Sequence, residues 1–229
     1  MIWIHDFISL IFPKICAGCG NSLWKHEDVI CRFCEYHLPK TNFHSDPENP
    51  VARLFWGRVT VESSAAFLYF NKGNTVQRLV HQLKYKGRKD IGIFLGARYG
   101  QLLGCISPFN TVDTIIPVPL HKKKYMQRGY NQSEQFAIGL SGSMGLALDK
   151  HLLTRTKDTE TQTRKSRFRR YQNVREIFTI KNPDLWAGKH LLLVDDVITT
   201  GATIESCILA LSGIPDVKIS IACIATAML

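Results

Sequence analysis

The chain has 229 residues, 45% hydrophobic and 21% charged, which excludes a disordered polypeptide and allows one substantial core with a small appendage. Its 29 Lys and Arg against 19 Asp and Glu leave a formal net charge of +10, which points to an anionic partner, either phosphates or nucleic acid. Residues 1–13 are apolar, but they lack a basic start, contain His5 and Asp6, and have no small-residue cleavage site; a short amphipathic helix is expected there, not a signal peptide. No later stretch reaches the roughly 18 uninterrupted apolar residues of a membrane span, so a soluble cytoplasmic protein is expected.

Two CxxC knuckles come next, Cys16-Ala17-Gly18-Cys19 and Cys31-Arg32-Phe33-Cys34. Four thiolates at this spacing can close a tetrahedral zinc site, with Gly18 and Gly20 easing the turn. Such a site has no open position, so its role is in folding rather than catalysis. Two disulfides or redox-active dithiols are the alternative, disfavoured by the missing export signal. Cys105, Cys207 and Cys223 are scattered through apolar stretches and read as core residues. Composition changes near residue 50, which divides the chain into a 1–50 module, the N-terminal helix and zinc-binding region, and a 51–229 domain.

Within that domain a strand is expected over 64–71, helices over 75–85 and 91–103, and a β-branched strand over 114–118. A basic loop and a helix over 133–140 follow. Strands over 176–180, 190–194 and 218–225 and a helix over 204–211 complete the pattern. Apolar strands alternating with helices imply an α/β fold with a parallel sheet covered on both faces.

Chemistry concentrates in residues 191–203, LLLVDDVITTGAT. Asp195 and Asp196 end a buried strand, where they can accept hydrogen bonds from the vicinal hydroxyls of a ribose or reach a hydrated magnesium ion. Thr199, Thr200, Gly201, Ala202 and Thr203 open a helix, so their N–H groups and hydroxyls favour a phosphate. The bland reading is a solvated strand end followed by a helix cap. The pattern resembles the signature with which type I phosphoribosyltransferases bind 5-phosphoribosyl diphosphate (PRPP).

The segment IIPVPLHKKKYMQRGYNQ (115–132), with its PVPL and RGYNQ motifs, and the N-terminal cysteines extend the likeness to nearly the whole chain, which resembles the ComF/GntX family. The resemblance implies a type I phosphoribosyltransferase fold plus the zinc module. It further implies a pyrophosphate-contacting loop over 120–128, with Lys122 and Arg128 among the PRPP-binding residues and Mg²⁺ on the diphosphate. The reaction it implies is displacement of pyrophosphate from C1 of PRPP by a nitrogen acceptor, with Asp195 and Asp196 in the catalytic position.

Residues 155–175, with Arg164, Arg167, Arg169 and Arg170 around Phe168 and Tyr171, look like the lid that closes over PRPP in that fold, or like a single-strand groove. ComF-like proteins are associated with DNA uptake, so the resemblance also implies a non-catalytic accessory protein for single-stranded DNA and a helicase partner. Lys84, Lys86 and Arg88 at the end of the 75–85 helix read first as cations favoured by the helix dipole.

Overall fold

The computed structural model describes residues 13–155 and 177–227. The expected N-terminal helix and the basic segment around Arg164 to Tyr171 therefore lie outside the described residues. The strands are β1 (Ser63–Phe70), β2 (Thr114–Pro117), β3 (Ala147–Leu148), β4 (Leu153–Arg155), β5 (Phe178–Ile180), β6 (His190–Ile198) and β7 (Lys218–Ala227). The helices are α1 (Arg32–Tyr36), α2 (Pro50–Arg53), α3 (Thr75–Tyr85), α4 (Lys89–Leu103), α5 (Lys122–Arg128), α6 (Gln132–Met144) and α7 (Ala202–Leu211).

Five strands form one sheet in the order β1-β7-β6-β2-β3, every pairing parallel, while β4 and β5 make a separate antiparallel pair. Parallel neighbours need crossovers, and the helices that make them cover both faces. Successive residues of β6 therefore enter opposite cores. Leu192 and Val194 join α3, α4 and α6 on one side; Leu191 and Leu193 join α7, Val51 and Phe55 on the other. All four are fully buried, which is why the strand reads as an unbroken apolar run.

Helices α4 and α6 cross at close range because neither carries a side chain at the contact. A Cβ on Gly96 would fall on the Phe136 carbonyl oxygen, and one on Gly139 on the Ile93 carbonyl oxygen. The expected basic loop after β2 is instead mostly helical. His121 accepts from Lys123 N at 3.2 Å and caps α5, whose Lys, Met, Gln and Arg residues are good helix formers.

The cysteine-bearing segment shares the first of these cores, with Cys16, Ala17, Val29, Ile30, Cys34 and Leu38 packed alongside Val76, Leu79 and Leu83 of α3. The segment after it is stitched to β1: Lys40 bridges to Leu68, Thr41 N donates to Phe67 O at 3.0 Å, and Asn49 Nδ2 donates to Ser64 O at 2.7 Å.

Candidate functional site

β2 ends at Pro117, in register with Val194, and Val118 N makes the next bond to Val194 O at 2.9 Å. β6 runs on beyond it with β7 alone as partner, so Asp195 and Asp196 emerge at a crevice. α6 covers one face of the sheet there and α7 the other, the switch point at which open α/β sheets bind ligands.

Asp195 Oδ1 accepts from Ser133 Oγ and from Asp196 N, both at 2.8 Å. Asp196 Oδ1 accepts from Val197 N, and its Oδ2 pairs with Lys84 Nζ at 2.9 Å, both side chains largely buried. Burial, and then the neighbouring Asp196 charge, push the Asp195 carboxyl up to about 7, against the opposing pull of the Ser133 hydroxyl, the Asp196 N–H and Lys84.

The RGYNQ motif builds this corner residue by residue. Arg128 ends α5, and Gly129, at φ 76°, takes the left-handed turn that closes it. The Tyr130 hydroxyl donates to Leu83 O, one residue before Lys84. Asn131 caps α6, its Oδ1 accepting from Ser133 N at 3.2 Å while its Nδ2 donates to Val118 O at 2.9 Å. Gln132 accepts from Arg128 Nη1 at 2.7 Å. Arg128 lies over the Tyr85 ring at 5.4 Å, and its Nε is buried without a hydrogen-bond partner among the described residues. One short motif thus ties the ends of α3, α5 and β2 to the acid pair.

Across the crevice, Thr199, Thr200, Ala202 and Thr203 are exposed around a buried Gly201 at φ 72°, the cap of α7. Glycine is required twice over: the backbone is left-handed, and an added Cβ would meet the Phe55 ring at 3.1 Å. Arg58 braces the loop from behind, donating to Thr200 O at 3.3 Å and to Leu54 O at 2.9 Å and pairing with Glu205 in the first turn of α7. The loop presents N–H groups and hydroxyls to solvent at a helix start, beside two acceptors at a strand end.

Of the residues read from sequence, Asp195, Asp196 and the 199–203 loop form this crevice, and Arg128 joins its wall. Lys122 sits exposed in the first turn of α5. Lys84, taken from sequence as a cation at a helix end, instead neutralises Asp196, and Arg88 forks onto Asp90 at 2.7–3.1 Å at the start of α4. Ser133 and Arg58 escaped sequence reading because only the fold brings them to Asp195 and to the loop.

The four expected cysteines lie together, their Sγ atoms all within 4.8 Å of one another, and all are free thiols. A tetrahedral ion with arms of about 2.3 Å needs sulfur–sulfur edges of about 3.8 Å, and Cys19 and Cys31 stand 3.8 Å apart. Burial pushes the Cys16 thiol up, but N–H groups of Cys19, Cys31 and Gly18 outweigh it and bring it down to about 7, the thiolate a metal needs. Burial raises Cys34. The cluster can hold a metal ion such as zinc. Cys207 and Cys223 are fully buried core residues, whereas Cys105 is exposed at the end of α4.

No family model matches the chain. Among solved structures it is similar to an allosteric regulatory enzyme of purine biosynthesis (20% identity, 62% of this chain and 29% of that one, TM-score 0.41). It is also similar to the adenine phosphoribosyltransferase of Leishmania tarentolae (11% identity, 82% and 94%, TM-score 0.40). Among proteins compared by sequence it is similar to competence protein ComFC of Bacillus subtilis, with 24% identity over 203 residues, 89% of this chain and 80% of that protein. The DNA utilization protein YhgH of Escherichia coli O157:H7 is 32% identical over 201 residues, 83% of this chain and 80% of that protein. With identity at that level across most of both chains, and with the cysteine, PVPL, RGYNQ and acid-pair segments each occupying a defined place in the fold, the chain belongs to the ComF/GntX family of competence and DNA-utilization proteins.

Proposed function

We propose that the crevice binds PRPP, with Asp195 and Asp196 accepting from the ribose hydroxyls and residues 199–203 donating to the 5-phosphate. The observation that carries this reading is the juxtaposition of two half-buried acceptors at the end of β6 with an exposed donor loop at the start of α7. A diol beside a phosphate is the chemistry that pairing fits. Mg²⁺ would accompany the diphosphate and spread its charge. Among the described residues, Lys84, paired with Asp196, and Arg128, stacked on the neighbouring Tyr85 ring, are the cations we assign to the diphosphate, a role the sequence reading gave to Lys122 and Arg128.

Transfer would proceed by displacement of pyrophosphate from C1 by a nitrogen acceptor, the chain contributing positioning and electrostatic stabilisation. Calorimetry with PRPP and Mg²⁺ tests the binding reading: micromolar or tighter binding to wild type, lost in Asp195→Asn with Asp196→Asn, is expected, and absent wild-type binding ends it. A pyrophosphate-release screen against bases and amines tests turnover. The cysteine cluster is read as a structural zinc site, to be checked by metal analysis of protein purified under reducing conditions.

The second reading is a cytoplasmic accessory protein that handles single-stranded DNA beside a helicase. It is favoured by relatives named DNA utilization protein YhgH and competence protein F, and by the net charge of +10. Among the described residues no helix is long and apolar enough to cross a membrane. The two readings are compatible, with PRPP as substrate or as regulator.

A further inference from the structure

The cysteine module turns its small residues inward and its large rings outward. Cys16, Ala17, Val29, Ile30, Cys34 and Leu38 are buried in the shared core, whereas Trp24, Phe33 and Tyr36 are 78%, 70% and 83% exposed. Aromatic rings are the largest contributors to burial available to a small module, so three of them left in water on one module call for an occupant.

The rings are held on a rigid frame. Phe33 lies between Cys31 and Cys34, two of the four clustered thiols. Phe33 and His37 are 4.2 Å apart between centroids and Tyr36 and His37 are 5.1 Å apart, a continuous run of three rings. The Glu27 carboxylate binds Trp24 to this run, one oxygen accepting from Trp24 N at 2.9 Å and the other from Arg32 N at 2.7 Å.

Charge selects the occupant. Within residues 13–40 the acids are Glu27, Asp28 and Glu35. Glu27 is buried under its two N–H donors, Asp28 pairs with Lys14 at 3.2 Å, and Glu35 pairs with Arg98 at 2.6 Å. Lys25 adjoins Trp24 and Arg32 adjoins Phe33, both cations exposed. Rings alternating with cations, without an unpaired carboxylate to repel phosphates, are what successive bases and their backbone require.

We propose that Trp24, Phe33, Tyr36 and His37 form a stacking platform for single-stranded nucleic acid, with Lys25 and Arg32 on its backbone. It rests on the second reading above and adds the cysteine module to the Arg164–Arg170 segment, which lies outside the described residues, as a contact for the strand.

The test is fluorescence anisotropy of a labelled oligothymidylate titrated with full-length, metal-loaded protein. The comparison is with the triple variant Trp24→Ala, Phe33→Ala and Tyr36→Ala and with Tyr36→Phe alone, each checked by circular dichroism and sedimentation. Exposed rings leave the fold intact, so the triple variant is expected folded and at least about tenfold weaker, at the low end of stacking losses of about 1–3 kcal/mol per base. Tyr36→Phe is expected to bind like wild type, because stacking needs the ring and not the hydroxyl. Wild-type protein that ignores the strand ends both the second reading and the platform. Wild-type binding matched by the triple variant overturns the platform alone. A wild-type dimer that the triple variant dissolves assigns the face to self-association, and also overturns it.

Discussion

Lys84, in the last turn of α3, pairs with Asp196 near the end of β6, beside an Asp195 carboxyl that burial pushes up to about 7. Replacing Lys84 by Met leaves two adjacent acids without that cation, so PRPP affinity measured by calorimetry should fall about tenfold or more, roughly 1.4 kcal/mol. The helix-end reading failed at this position because a cation's partner is a matter of topology, and nothing local in LKYKGRKD marks Asp196. Asp195 gives a pH signature. Its folded pKa of about 7 lies above the ordinary carboxylate value, so its contribution to stability is complete below about pH 4 and is lost as pH rises through 7. The urea midpoint of metal-loaded wild type should therefore drop between about pH 5 and about pH 8, and Asp195→Asn should flatten that drop. PRPP affinity should move the other way, rising through pH 7 as the acceptor for the ribose hydroxyl ionises.

Helices α4 and α6 were legible as periodic stretches, but the glycines that let them touch were not, since Gly96 and Gly139 acquire meaning only where the helices cross. With carbonyl oxygens occupying the position a Cβ would take, Gly139→Ala must push the helices apart, an overpacking cost of about 3 kcal/mol by urea denaturation. Because Asn131 and Ser133 sit at the start of α6, the same substitution should weaken PRPP binding, whereas Gly142→Ala, with open space around it, should spare both and gain helix propensity. Elsewhere along the chain the strands expected over 190–194 and 218–225 were read correctly because burial on both faces leaves an unbroken apolar signature. The helix α5 was read as a loop because three consecutive lysines carry charge but no periodic apolar face, and its His121 cap is not among the usual capping residues.

Alternating apolar strands and helices announced a parallel sheet, yet the order β1-β7-β6-β2-β3 and the docking of the cysteine segment on α3 are tertiary facts beyond the reach of periodicity. That docking joins the two chemical centres. Gln82 Nε2 donates to Ala17 O at 2.6 Å, inside the first CxxC knuckle, and a Cβ on Gly18 would already crowd Cys34 and Thr75. Two residues after Gln82, Lys84 reaches Asp196, and between them Leu83 O accepts from Tyr130. A helix held at one face by the knuckle and at its end by the acid pair is the physical connection through which a shift of either would reach the other, which the following measurements test. Removing metal would leave the four clustered sulfurs without the ion that ties them together, so the knuckle should loosen and α3 with it. Chelator-treated protein that stays folded by circular dichroism should bind PRPP several-fold more weakly than metal-loaded protein. Gln82→Leu should reproduce part of that loss with the metal still bound. Equal affinity in all three would mean that the cysteine module and the crevice are energetically independent.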